Sequence, residues 1–185
     1  LEDVSEILRN LAEVGMTSRE ACGNSVRNVM CSPLAGVCSN EKFDSTPYAL
    51  ATAKFFLRNP MTQALPRKFK FTFTCCEKHG MARIVDVGLI PHTREIDGTT
   101  QKGFKIFLGG GLGNKSFVGY QLEEFTPEDD LLYTSLAVVR LFDRLGDRIN
   151  LARNRMRYLV HEMGWEKFQN LVLKERAVVR ATQSV

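Results

Sequence analysis

The apolar positions of this chain change period several times. Over residues 3 to 13, DVSEILRNLAE, Val4, Ile7, Leu8 and Leu11 recur at helical spacing and predict an amphipathic helix, with a polar turn region around Thr17, Ser18 and Asn24 after it. A second helix is expected over 48 to 58, YALATAKFFLR, behind the Thr46-Pro47 start signal and ending before Pro60. Alternation of period two then predicts strands over 68 to 74, 82 to 90 and 103 to 108, with Gly80, Pro91 and DGTTQKG supplying the loops between them. Sequential strands are expected to neighbour one another. Beyond GGGLGN no strand pattern appears. Pro127, with Thr126 as a cap, opens the helical stretch PEDDLLYTSLAVVRLFDRLG, whose acidic start and arginine-bearing end suit the helix dipole. Two further helices are expected over about 147 to 163 and 164 to 175. The pattern therefore predicts an α+β fold: a mixed β-sheet with flanking helices over residues 1–120 and a helical segment over 121–185.

The first predicted strand carries the most chemistry. In LPRKFKFTF and the threonine after it, Phe69, Phe71 and Phe73 share one face, and Lys68, Lys70, Thr72 and Thr74 share the other. At the strand rise the two lysines stand about 7 Å apart. Two readings follow. A half-exposed strand can keep its lysines in water and use them against edge pairing. Alternatively, paired cations on a rigid element form an anion site.

Length and charge narrow the setting without choosing between those readings. The 185 residues, 44% hydrophobic, suffice for one well-buried core. A net charge of +4 suits small anions or an acidic partner and does not demand nucleic acid. No apolar run approaches the roughly 18 residues a membrane span needs, and LEDVSEILRN lacks the layout of a signal peptide. A soluble, cytoplasmic protein is expected, and the opening on Leu1 suggests a piece of something longer. The five cysteines, Cys22, Cys31, Cys38, Cys75 and Cys76, argue against a disulfide framework. None forms a local metal-binding spacing, so they read as small buried or half-buried thiols.

Other candidates are weaker. The glycine run 109–113 follows a predicted strand but fails the GxGxxG spacing, which leaves a tight turn or a close approach to a flat ligand. In SVRNVMCSPLAG, Arg27 and Asn28 lie in a short segment bounded by Gly23 and Pro33, where a guanidinium can meet a carboxylate or oxyanion or simply face solvent. His79, His92 and His161 are scattered, with no nucleophile motif beside them. Arg148, Arg153, Arg155 and Arg157 cover several helical faces and read as a solvated or interdomain surface. A nucleic-acid module built on these arginines lacks interleaved exposed aromatics.

In combination and order, GMTSREACGNSVRNV, SPLAGV, TPYALATAKFFL, LPRKFKFTF, ARIVDVGLI, GFKIFLGGGLG and GDRINLARNRMRYLVHEMGWEKF resemble the siroheme-dependent nitrite and sulfite reductases over almost the whole chain. SPLAG is more similar to the ferredoxin-linked and bacterial branch than to the flavoprotein-linked one. The resemblance implies a six-electron reduction of nitrite to ammonia or of sulfite to sulfide, with siroheme and a coupled 4Fe-4S cluster as cofactors and ferredoxin or a similar protein as donor. It also implies that Arg27, Lys68 and Lys70 belong to a cationic substrate pocket, and that Arg67 and Asn28 belong to the siroheme contacts.

The departures from the family are informative. Its cluster ligands form C-x5-C and, much later, C-x3-C, and this chain has neither; Cys31 and Cys38 have six residues between them and fall in another segment. The resemblance therefore implies the central portion of a longer reductase, inactive alone, with the cluster ligands elsewhere. The alternative is a stand-alone paralogue without redox centres that binds tetrapyrrole or anions or serves as an assembly subunit.

Overall fold

A computed structural model describes residues 2–182 and Val185. Its centre is one mixed sheet in the order β1-β2-β3-β4-β5, with β6 also paired to β4. The strands are β1 (Val26–Cys31), β2 (Phe69–Phe73), β3 (Val87–Ile96), β4 (Thr99–Leu108), β5 (Tyr120–Gln121) and β6 (Thr126–Pro127). The first three run parallel, and β3 then turns back into β4 as an antiparallel hairpin. The helices are α1 (Val4–Glu13), α2 (Thr46–Phe56), α3 (Leu131–Leu145), α4 (Met156–Met163) and α5 (Trp165–Ala181). The α+β class with a mixed sheet and flanking helices is thus the observed one.

The alternation in β2 explains how the sheet is covered. Phe69, Phe71 and Phe73 are fully buried. Phe71 stacks on Phe56 of α2 with centroids 5.2 Å apart, and Phe69 meets Phe142 of α3 at 5.5 Å. One apolar core continues from β1 through these rings to Val172 and Val179 of α5. Burying large aromatic rings in this way is the main drive for collapse, at roughly 25 cal/mol per Å² of apolar surface. Helices therefore close one face of the sheet.

On the other face the backbone comes very close. A 3-10 turn over Gly80–Ile84 lies directly on β3, and a Cβ at Gly88 would stand 1.8 Å from the Ala82 carbonyl oxygen. Only a glycine permits that approach.

Several expectations are corrected. Pro91 lies within β3, and the turn of the hairpin is confined to Asp97 and Gly98, with positive φ at both, while Thr99 to Gly103 belong to β4. Residues beyond 110 do contain strands, β5 and β6, too short to show a period. Thr126 caps no helix; it is buried in β6 and its hydroxyl bonds Glu123 at 2.6 Å, while α3 starts at Leu131 behind Asp130. The stretch 147–155 is turns held by Asp147 and Asn150 side chains, so α4 begins only at Met156. α1 forms as expected but buries no residue, leaving Val4, Ile7 and Leu8 about half exposed.

Candidate functional site

Lys68 and Lys70 stand half-buried on the sheet face away from the phenylalanines. The threonines beyond them are buried, Thr72 at 5% and Thr74 at 2% exposure, so this face is the floor of a cleft. Arg27 joins the lysines through a fault in the strand. The parallel register shifts between Val26 and Asn28, leaving Arg27 as the extra residue of a bulge, a device that re-aims a side chain. Its Nε then donates to the Ala21 carbonyl at 2.9 Å. Asn28 pairs in register with Lys70 but is exposed and lines the groove beside α2.

Two adjoining clefts share Lys68. One, of about 230 Å³, is lined by Cys22, Gly23, Asn24, Arg27, Arg67 and Lys68. The other, of about 330 Å³, sets Lys68, Lys70 and Arg155 against apolar Met30, Met81, Ile84, Val85 and Leu112. The charges are felt across both. Burial, and then the guanidinium of Arg155, Arg27, the Lys70 ammonium and Arg67, hold the Lys68 pKa below the ordinary lysine value. Among the described residues no carboxylate forms an ion pair with Arg27, Arg67, Lys68 or Lys70.

Asp86 sets the geometry. It is fully buried, accepts the Lys70 backbone N–H at 3.0 Å and accepts Arg155 Nη2 at 2.8 and 3.1 Å. Desolvation pushes its pKa up and Arg155 opposes that push. One carboxylate therefore locks both the lysine strand and the far wall of the cleft. Sequence reasoning missed this pair and assigned Arg155 and Arg157 to a solvated or interdomain surface. The available signal was Asp86 inside the apolar run ARIVDVGLI, since a buried carboxylate needs a cation.

The glycine run serves close packing as well as turning. A Cβ at Gly110 would lie 2.3 Å from the Arg83 carbonyl oxygen, and one at Gly111 would lie 3.0 Å from Arg157. Gly111 and Leu112 also line the larger cleft. Arg157 is buried with its Nε unpaired, as is the Nε of Arg155. A second cluster lies past the end of β2, where Cys38, Cys75, Cys76 and His79 bring their ligand atoms within 4.8 Å of one another. Cys75, Cys76 and His79 stand together as CCEKH in the sequence, but nothing in the spacing showed Cys38 joining them.

A partly apolar cleft rimmed by Arg27, Arg67, Lys68 and Lys70, which have no carboxylate partner among the described residues, has the chemistry to accept a flat, anionic ligand or a small oxyanion. The chain belongs to the nitrite and sulphite reductase 4Fe-4S domain family, whose profile matches residues 22–180. It is 35% identical over 95% of its length to an assimilatory ferredoxin-dependent nitrite reductase of Haloferax mediterranei, covering 30% of that protein. It is 32% identical, over 95% of its length, to sulfite reductase [ferredoxin] 1 of Mycolicibacterium paratuberculosis, covering 31% of it. With the chloroplastic ferredoxin–nitrite reductase of Arabidopsis thaliana it shares 33% identity over 94% of the chain and 30% of that protein. The structure of the Mycobacterium tuberculosis NirA protein superimposes with a TM-score of 0.84 at 29% identity, over 95% of this chain and 32% of that one. Dissimilatory sulfite reductase I shares the fold, with a TM-score of 0.71 at 13% identity, over 92% of this chain and 57% of that one. The chain thus spans about a third of the length of the curated relatives it matches.

The two cofactors of the family fit these residues differently. A carboxylated macrocycle suits the clefts, because Met30, Met81 and Leu112 offer apolar contact where Arg27, Arg67, Lys68 and Lys70 offer charge. The clustered cysteines do not suit a four-iron cubane, whose ligands each bind a different iron at a different corner and so stand wider apart than these.

Proposed function

We propose that this chain is the substrate-pocket portion of a reductase that converts nitrite to ammonia or sulfite to sulfide, using siroheme and a 4Fe-4S cluster whose ligands lie elsewhere in the complete protein. Nitrite or sulfite is the substrate, ferredoxin or a similar protein the donor, and the cytoplasm the compartment. The observation that carries this reading is the set of four cations, Arg27, Arg67, Lys68 and Lys70, around two adjoining clefts with no internal carboxylate partner among the described residues. Relatives named as nitrite and sulfite reductases over 94 to 95% of the chain support it.

Each side chain then has a distinct task. Arg27 and Lys70 hold the oxyanion by charge, Arg27 oriented by Ala21 and the Lys70 backbone held by Asp86. Lys68, whose proton is already loosened by burial and four neighbouring cations, donates it toward an oxygen that leaves as water. Arg67 lines the smaller cleft, where it would hold a carboxylate of the macrocycle. The bound cofactors supply the route by which electrons reach the anion.

The test uses the complete gene product, purified without oxygen. A haem-like absorption band that shifts on adding nitrite or sulfite, with turnover from reduced ferredoxin, is expected. A protein that carries no tetrapyrrole and reduces neither anion overturns the reading.

A further inference from the structure

The Cys38, Cys75, Cys76 and His79 cluster lies outside the functions assigned so far. We propose that these four side chains bind one divalent ion of the zinc class, separate from the siroheme and the 4Fe-4S cluster of the complete enzyme, and that this ion fastens the wall of the cationic cleft. Two segments distant in sequence supply the ligands: the loop after β1 gives Cys38, and the short stretch between β2 and the 3-10 turn over Gly80–Ile84 gives Cys75, Cys76 and His79.

The distances fit a single ion. His79 Nδ1 lies 3.2 Å from Sγ of both Cys75 and Cys76, and Sγ of Cys38 lies 3.8 Å from that of Cys76. A tetrahedral ion with its sulfur ligands at about 2.3 Å and its nitrogen ligand at about 2.0 Å has edges of about 3.5 Å between nitrogen and sulfur and about 3.8 Å between sulfurs. Three thiolates and one imidazole form a structural zinc set, and soft sulfur selects zinc over magnesium or calcium. Cys75 and Cys76 are buried and Cys38 and His79 half-buried, so the site is closed apart from a route for entry. All the cysteines are free thiols.

Binding balances simply. Each of the three thiols gives its proton to water as its sulfur bonds the ion, and neutral His79 binds through Nδ1. Burial, the largest influence on it, pushes the Cys75 thiol up to about 11, so the ion must displace a firmly held proton. The backbone N–H of Asn40 holds the Cys38 thiol below its ordinary value.

The consequence reaches the cleft through Met81. This residue belongs to the turn that His79 starts, and it lines the larger cationic cleft together with Lys68 and Lys70. An ion holding His79 to the end of β2 therefore holds that wall against the sheet.

The test measures zinc and iron separately in the complete gene product. One zinc per chain is expected in addition to the iron, falling at least tenfold in Cys38→Ser and in His79→Ala while the siroheme spectrum and acid-labile sulfide persist. Cobalt exchange should give the intense visible bands of a tetrahedral thiolate site. Because a variant can lose zinc by unfolding, thiols are also titrated in the unaltered protein: chelation should make Cys38, Cys75 and Cys76 reactive while circular dichroism stays folded. Absence of zinc, thiols equally reactive with and without chelator, or a Cys38–Cys76 disulfide would overturn the proposal. So would a joint loss of iron and sulfide in Cys38→Ser, which would make these residues cluster ligands.

Discussion

The cationic cleft and the helical side of the molecule are both rich in arginine and lysine, and they use that charge in opposite ways. On the helical side the guanidinium groups are paired. Arg140 and Arg144 share Glu175 at 2.8 and 2.6 Å, Arg180 meets Asp130 at 2.8 Å, and Arg176 grips Glu123 with both nitrogens. In the cleft, Arg27, Arg67, Lys68 and Lys70 have no such partner among the described residues and crowd one another instead. A paired cation is spent on the fold. An unpaired cluster raises the energy of the free protein and is relieved by an anion from outside, which is the electrostatic signature of a binding site.

Arg155 is where the two uses meet, and its removal should have the largest effect. Arg155→Ala strands the fully buried Asp86 carboxylate and is expected to cost about 3 to 5 kcal/mol in denaturant unfolding. It should also weaken anion binding. The sign with pH is fixed by Asp86, whose folded pKa lies above its unfolded value. The folded variant then binds more protons than the unfolded chain, so its stability should fall as pH rises from acid through the raised carboxyl pKa. A flat profile would separate Asp86 from Arg155.

Lys68→Ala or Lys70→Ala should break the other side of the comparison. Each is expected to lower turnover of the complete enzyme by about 10²-fold, the scale of losing one preorganised donor at a developing charge. Thermal unfolding should barely change, because the lysines repel their neighbours and hold no internal partner. Unchanged turnover in both folded variants would remove them from the site.

Glu175→Gln should do the reverse, with a stability loss of about 1 to 3 kcal/mol for leaving the half-buried Arg140 and the more exposed Arg144 without a charge partner. Its turnover per folded molecule should match the unaltered enzyme. Glu162→Gln, which breaks an ion pair with both members more than half exposed, should leave the melting curve where it was. Anion affinity should, finally, decline with rising pH before an ordinary lysine would titrate, because Lys68 loses its proton early. A binding titration against pH measures that displacement.

The parts of this arrangement legible in the sequence were those that depend on near neighbours. The β2 alternation predicted both the buried phenylalanines and the lysine face, and the acidic start and arginine end marked α3 to within a few residues. What stayed hidden depends on pairing across the chain. β1 is an edge strand whose buried and exposed positions mix around the bulge at Arg27, so it shows no clean period. β5 and β6 hold two residues each and exist only because β4 offers them hydrogen bonds. The Asp86–Arg155 lock joins residues that no spacing rule connects, and in the cysteine–histidine cluster Cys38 reaches the local CCEKH stretch from 38 residues away. Arg153 and Arg155 look alike in RNR, yet one pairs in solvent with Glu162 and the other is drawn in by Asp86.

The lock also has a consequence in time. Arg155 follows Asp86 by 69 residues. A ribosome adding roughly 5 to 20 residues per second needs about 3 to 14 seconds to cover that distance. Throughout that interval the nascent chain carries β2 and the start of β3 without Arg155, the partner the folded carboxylate holds, and sealing Asp86 away from water unpaired would cost several kcal/mol. The lock on the sheet face that carries the lysines therefore cannot form until the chain has passed residue 155, long after the lysine strand itself has been made.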